Sequence, residues 1–109
     1  MSEQEIIWVV VSTNSFKEAE KIGQAALKAR LCVCYSIWPR LKTAYFWPPK
    51  SGKIQSGRGP ILSLESLEKN YKKITSLINK LHSDKVPMYG ILEIEKVSRE
   101  FYRWVKSEM

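Results

Sequence analysis

An α+β sandwich, with helices laid over one face of an antiparallel sheet, is the architecture this sequence predicts. Three observations carry it. Strand-like apolar runs and two stretches of helical periodicity follow one another in the order β-α-β-β-α-β, and a short amphipathic segment adds a C-terminal helix. Residues 31 to 66 read as two long β-arms joined by a Pro/Gly-rich tip, so the middle connection is a hairpin. The length, 109 residues with 44% apolar, makes residues 1–109 one domain. A chain of this size buries roughly 65% of its unfolded surface without help from disulfides.

Taken in order, Ile6-Ile7-Trp8-Val9-Val10-Val11-Ser12 is a nearly unbroken β-branched run, which suits a central strand covered on both faces. Ser15 with Glu18 three residues later is a capping-box signature, and Phe16, Ala19, Ile22, Ala26 and Ala29 recur at helical spacing. The first helix is therefore expected from Phe16 to Ala29. Its small residues allow close approach to a sheet. Leu31 to Ile37 returns to strand character, Trp38-Pro39 marks a bend because proline cannot donate to the ladder, and Leu41 to Trp47 resumes the arm. Pro48-Pro49-Lys50-Ser51-Gly52 is the turn, Gly57, Gly59 and Pro60 punctuate the way back, and Ile61 to Glu65 is the returning strand. Ser66 is the expected N-cap of a second helix striped by Leu67, Tyr71, Ile74, Leu77, Ile78 and Leu81, with Lys69, Lys72, Lys73 and Lys80 toward solvent. Met88 to Val97 is the last strand. Ser98 caps a final helix whose Phe101, Trp104 and Val105 fold back on the body. This order matches the ferredoxin-like split βαβ sandwich with a long β2-β3 hairpin.

Charge narrows the partners without choosing one. Eight cations, from Lys21 to Arg58, lie between Glu20 and Glu65 with no acid among them, and they account for the net charge of +7. An anionic partner fits such a balance: nucleic acid, a phosphate ligand or a membrane surface. No run approaches the roughly 20 apolar residues of a membrane span, and the polar start Met1 to Glu5 lacks the build of a signal peptide. The expected compartment is the cytoplasm. Cys32 and Cys34, two apart on an expected strand, sit near the upper limit of disulfide geometry and are expected as free thiols. Helices cover only one face of such a sheet, and an arm carrying Trp38, Tyr45, Phe46 and Trp47 is too aromatic to stay bare. A homo-oligomer is expected to cover it.

In this setting the residues resemble the CutA family of divalent-cation-tolerance proteins, small ferredoxin-like trimers. The matching features run collinearly: Ser12-Thr13 after the first strand, Ala29-Arg30-Leu31 leading to Cys34 and Ile37, Pro39 at the bend, Tyr45-Phe46-Trp47 followed by Gly52-Lys53-Ile54, Leu81-His82 with Val86-Pro87, and Phe101-Tyr102-Arg103-Trp104. The resemblance implies a homotrimer that binds a divalent metal weakly, copper or zinc.

The candidate chemistry can be weighed residue by residue. His82 is the only histidine and the first metal candidate, with Asp84, Glu65 and Cys34 as further contacts. Against this, a histidine ending a helix also serves its dipole, and two strand thiols also serve as small core residues. The alternative is a regulatory trimer, built like the PII proteins, that takes an anionic small molecule in inter-subunit clefts through Arg40, Lys53 and Arg58. A nucleic-acid module using the same cations and aromatics comes third, against lysines that are merely solvated. No nucleophile, base and orienting group occur together in a recognisable pattern, so no enzyme is expected.

Overall fold

The computed structural model describes residues 6–109. Strands β1 (Ile6–Ser12), β2 (Cys34–Trp38), β5 (Ile61–Leu67) and β6 (Tyr89–Ile94) form one sheet in the order β2-β5-β1-β6. Every neighbouring pair is antiparallel. This is the ferredoxin-like arrangement: β1 and β2 run the same way with β5 inserted between them, the split βαβ. β3 (Thr43–Phe46) and β4 (Ile54–Gly57) make a separate two-stranded ribbon, and the body measures 46 × 27 × 24 Å.

Helices α1 (Phe16–Lys28) and α2 (Tyr71–Leu81) cover one face of the sheet. Alternation along the strands explains which residues meet them. Ile7, Val9 and Val11 of β1 and Leu62 and Leu64 of β5 point to the helices and are fully buried with Ala19, Ile22, Ala26, Ile74 and Ile78. Each of the larger side chains contributes about 1.5 to 3 kcal/mol by leaving water. α1 sits so close that a Cβ on Gly23 would lie 2.6 Å from the Tyr35 ring. The Ser15 hydroxyl caps α1 by accepting from the Glu18 N–H, as the sequence predicts.

Alternate residues face the other way. Trp8 and Val10 of β1, Glu65 and Ser63 of β5, Leu92 of β6 and Cys34, Ser36 and Trp38 of β2 form the open face. Helix α3 (Arg99–Glu108) covers only one end of it, where Val105 packs on Ile6, Val33 and Leu67. Central β1 is thus covered on one face and only partly on the other. Trp104, expected to fold back, is 43% exposed.

Several boundaries move for physical reasons. β5 runs on through Ser66, which is 1% exposed and donates its hydroxyl to the Leu31 carbonyl at 2.6 Å. A buried serine in a ladder cannot cap a helix. A 3-10 turn over Glu68–Asn70 follows, and α2 begins at Tyr71 without a side-chain cap. Leu31 to Val33 is not strand, because Leu31 N bonds back to Ala26 O and closes the end of α1. Ile54–Gly57, expected only as part of the return, is a strand in its own right. Cys32 and Cys34 are free, as expected, although only Cys34 lies on a strand.

Candidate functional site

Four segments converge where β1 ends. Thr13 is buried, and both its N–H and its Oγ1 donate to the Pro60 carbonyl, at 3.1 and 2.6 Å. Backbone is packed so tightly here that a Cβ on Gly59 would lie 1.9 Å from the Thr13 carbonyl oxygen, so only glycine fits. The Ser12 N–H donates to Met88 O, which brings in the segment after α2. Arg40 completes the junction: its guanidinium donates to the Gly59 carbonyl, to Ser12 Oγ at 2.9 Å and to Thr13 O at 3.4 Å.

His82 belongs to this junction. Its side chain is wholly buried, Nε2 lies 2.7 Å from the Ser12 carbonyl, and Nδ1 accepts the Asp84 N–H at 3.0 Å. A carbonyl only accepts, so the proton sits on Nε2, and neither nitrogen keeps a lone pair for a metal. Asp84 Oδ1 takes the Asn14 side-chain amide at 2.9 Å. Glu18, legible in the sequence only as a capping residue, also ties two loops together, with Oε1 accepting from Asn14 N at 2.8 Å and Oε2 from Ser83 N at 2.7 Å. Burial alone would raise its pKa, but the hydrogen bonds from Ser83 and Asn14, with His82 nearby, outweigh that and hold it lowered.

The other two expected ligands stand elsewhere. Cys34 and Glu65 are cross-strand partners on the open face, the thiol donating to Glu65 Oε1 at 3.1 Å. Glu65 lies opposite Trp8, four residues along β1 from the Ser12 that holds His82, a separation of about 13 Å. Among the described residues of one chain, no three His, Cys, Asp or Glu side chains come together to hold a metal. Burial, then the Glu65 hydrogen bond and charge, push the Cys34 thiol up to about 12; burial, then Glu65, does the same to Cys32. Both stay protonated at neutral pH.

The alternative cations are better grouped. Arg40 and Arg58 line a cleft of about 610 Å³ between the ribbon and the β1 junction, together with Lys85, Tyr45, Trp47 and Ser12. Lys53, the third expected cation, is not among the lining residues and lies beside the ribbon tip, its N–H on Ser51 Oγ. Lys85 carried no signal in the sequence, because only the fold turns the segment after α2 toward the ribbon. A second cavity of about 490 Å³ lies between the end of α1 and α3, but its Arg30 is already paired with Glu108 at 2.8 Å.

The aromatic expectation divides by face. On the ribbon, Thr43, Tyr45 and Trp47 alternate with Ala44 and Phe46, and Phe46 pairs with Ile54. The first set lines the cleft, while Phe46 and Ile54 are 72% and 69% exposed. Trp38 lies over the open face, stacked on Trp8 with ring centroids 6.4 Å apart, and its indole N–H donates to Ser63.

Comparison with known proteins agrees with this architecture. The chain is 24% identical over 98 residues to the divalent-cation tolerance protein CutA of Archaeoglobus fulgidus, covering 90% of this chain and 92% of that protein. It is 26% identical over 101 residues to the protein of the same name from Thermococcus kodakarensis, covering 93% of each. Its fold is that of the solved CutA1 from Ehrlichia chaffeensis, with a TM-score of 0.87, 19% identity and coverage of 98% of this chain and 97% of that one. The periplasmic divalent cation tolerance protein CutA of A. fulgidus superposes with a TM-score of 0.88 at 22% identity, covering 94% and 97%. The family model for the CutA1 divalent ion tolerance protein matches residues 7–108, nearly the whole described chain, and the protein belongs to that family.

Proposed function

We propose that this protein works as a homotrimer of the divalent-cation tolerance type that binds a copper or zinc ion weakly at donors shared between copies. The observation that carries this reading is the uncovered apolar surface. Trp38 and Leu92 on the open face are about half exposed, and Phe46 and Ile54 on the ribbon are more so. Surface of this kind marks a contact with protein, and a second copy of the same chain is the partner always present. Assembly also brings copies of Cys34 and Glu65 toward one another if the open faces meet. A thiol with a neighbouring carboxylate suits soft or borderline ions, and two donors per chain need a partner's to complete a site. His82 joins only by giving up its bond to Ser12 or to Asp84 N–H, whereas Asp84 keeps Oδ2 beside the Oδ1 that accepts from Asn14.

The binding reading rather than a catalytic one is supported by the thiols, the chain's strongest potential nucleophiles, being held protonated. Free thiols also suit a reducing compartment, and the cytoplasm is the location proposed. No helix among the described residues is long and apolar enough to cross a membrane.

The test is native mass spectrometry of the protein alone and titrated with zinc or copper ions, beside Cys34→Ser, Glu65→Gln and His82→Ala. A trimer is expected, with metal uptake reduced about tenfold or more in the first two variants and weakened by acid, because the metal must displace the thiol proton. A monomer overturns the assembly. Uptake that depends on His82 but not on Cys34 moves the site to the β1 junction.

A further inference from the structure

The cleft between the ribbon and the β1 junction has features that neither self-association nor metal binding uses. We infer that it binds an organic anion of mononucleotide size, a phosphate-bearing group attached to a flat ring, with Arg40, Arg58 and Lys85 holding the phosphate and Tyr45 and Trp47 flanking the ring.

The first support is charge without compensation. Arg40 is half-buried, and the acceptors it reaches are two backbone carbonyls and one serine hydroxyl, all neutral. Among the described residues no carboxylate comes within ion-pair distance of Arg40, Arg58 or Lys85. The cleft's acid, Asp84, is engaged with Asn14. Three cations against one acid leave the lining net positive, and a half-buried guanidinium without a counter-ion favours an anion beside it. The cavity at the end of α1 provides the contrast, since its arginine already has a carboxylate.

The second support is preorganisation. Arg40 is clamped to the same backbone that Thr13, Pro60 and Gly59 lock together, so its charge is held in place before any ligand arrives. Arg58 and Lys85 are exposed and line the same space, one from the segment after β4 and the other from the segment after α2. Arginine presents its donors in a planar fork that matches phosphate oxygens, and Ser12 and Ser83 are further polar residues of the lining.

The third support is the ring-sized wall. Tyr45 and Trp47 lie on the cleft side of the ribbon and are 47% and 43% exposed, leaving aromatic surface available. Flat rings stack on such faces without needing a fixed hydrogen-bond pattern. A volume of about 610 Å³ is large for inorganic phosphate and falls within the usual range of roughly 300 to 1,000 Å³ for small-molecule sites. All of these residues belong to one chain, and Phe46 and Ile54 point the other way. The site therefore lies on the other side of the ribbon from Phe46 and Ile54 and apart from the Cys34–Glu65 pair.

Isothermal titration calorimetry of the full chain with AMP, ATP, adenosine and pyrophosphate tests this, alongside Arg58→Gln and Trp47→Ala. Arg58 is the chosen cation because it is exposed, whereas Arg40 also holds the backbone together. About one nucleotide per chain is expected, with affinity falling about tenfold or more in Arg58→Gln, the loss of one charge-assisted contact. Trp47→Ala is expected to weaken nucleotides while leaving pyrophosphate unchanged, and adenosine alone is expected not to bind. Absence of nucleotide binding overturns the proposal, as does binding that is the same in Arg58→Gln as in the parent. Pyrophosphate binding as tightly as nucleotides, with no effect of Trp47→Ala, overturns the ring-bearing class of ligand. Light scattering on the same samples reads assembly separately, so failure of the trimer and failure of the cleft remain distinguishable.

Discussion

Individual side chains in this protein are mostly committed to neighbours. His82 is the clearest case: as the only histidine it stands out as a metal ligand in the sequence, yet both of its nitrogens are spent on Ser12 and Asp84. A solitary histidine carries no record of what its ring nitrogens will meet. The thiols behave similarly. Cys32 is buried in the core and Cys34 is bound to Glu65, with pKa values of about 12 for both. Their folded pKa lies above the unfolded value, so the stability they contribute is fully present below the ordinary thiol range and is lost as pH rises through the folded value. Both thiols are accordingly expected to react slowly with iodoacetamide at pH 8 in the native protein and quickly in urea. Stability to denaturant is expected to decline above pH 9. Rapid native labelling of Cys34 would contradict the hydrogen-bonded, protonated thiol.

At the scale of elements, periodicity and caps were legible and junctions were not. Ser15 and Ser98 cap their helices as their spacing implies, accepting from Glu18 N and Phe101 N. Ser66 shares their local signature and does something else, because β5 stays paired with β1 as far as Leu67 and carries the serine into the interior. Tertiary pairing there overrides a local capping preference. The consequence is measurable. Ser66→Ala removes the donor to Leu31 O and an acceptor of the Asn70 amide, and is expected to cost about 1 to 2 kcal/mol in urea unfolding. Helix content by circular dichroism is expected to stay unchanged. A loss of helicity would indicate that the serine acts as a cap after all.

For the whole molecule, the imbalance between the sheet's two faces is the dominant feature. One face is closed by α1 and α2, the other only at its end by α3, and the ribbon stands apart from the sheet. Phe46 and Ile54 are cross-strand partners on the ribbon side away from the cleft. Replacing both with lysine places two like charges within any contact built on that side. If the proposed trimer forms through this side, Phe46→Lys with Ile54→Lys is expected to shift it to monomer in size-exclusion chromatography with light scattering, at nearly unchanged secondary structure. An unaltered trimer would mean that the contact uses the open sheet face alone.

The order of the main strands and helices, the hairpin and its tip, the apolar stripes of the first two helices and the family were determined by the sequence itself. Each rests on local or periodic signals, the alternation of two in strands and the 3.6-residue repeat in helices, which survive without knowledge of any partner. The family expectation, carried by collinear motifs from Ser12-Thr13 to Trp104, agrees with the family match over residues 7–108. Only the tertiary structure decided which polar groups meet. It separated His82 and Asp84 from Cys34 and Glu65, engaged Glu18 with Ser83, and gathered Arg40, Arg58 and Lys85 around one cleft while leaving Lys53 by the tip. Those groupings join residues dozens of positions apart, through loops whose course depends on packing at Thr13 and Gly59, and packing at that distance leaves no periodic trace in the chain.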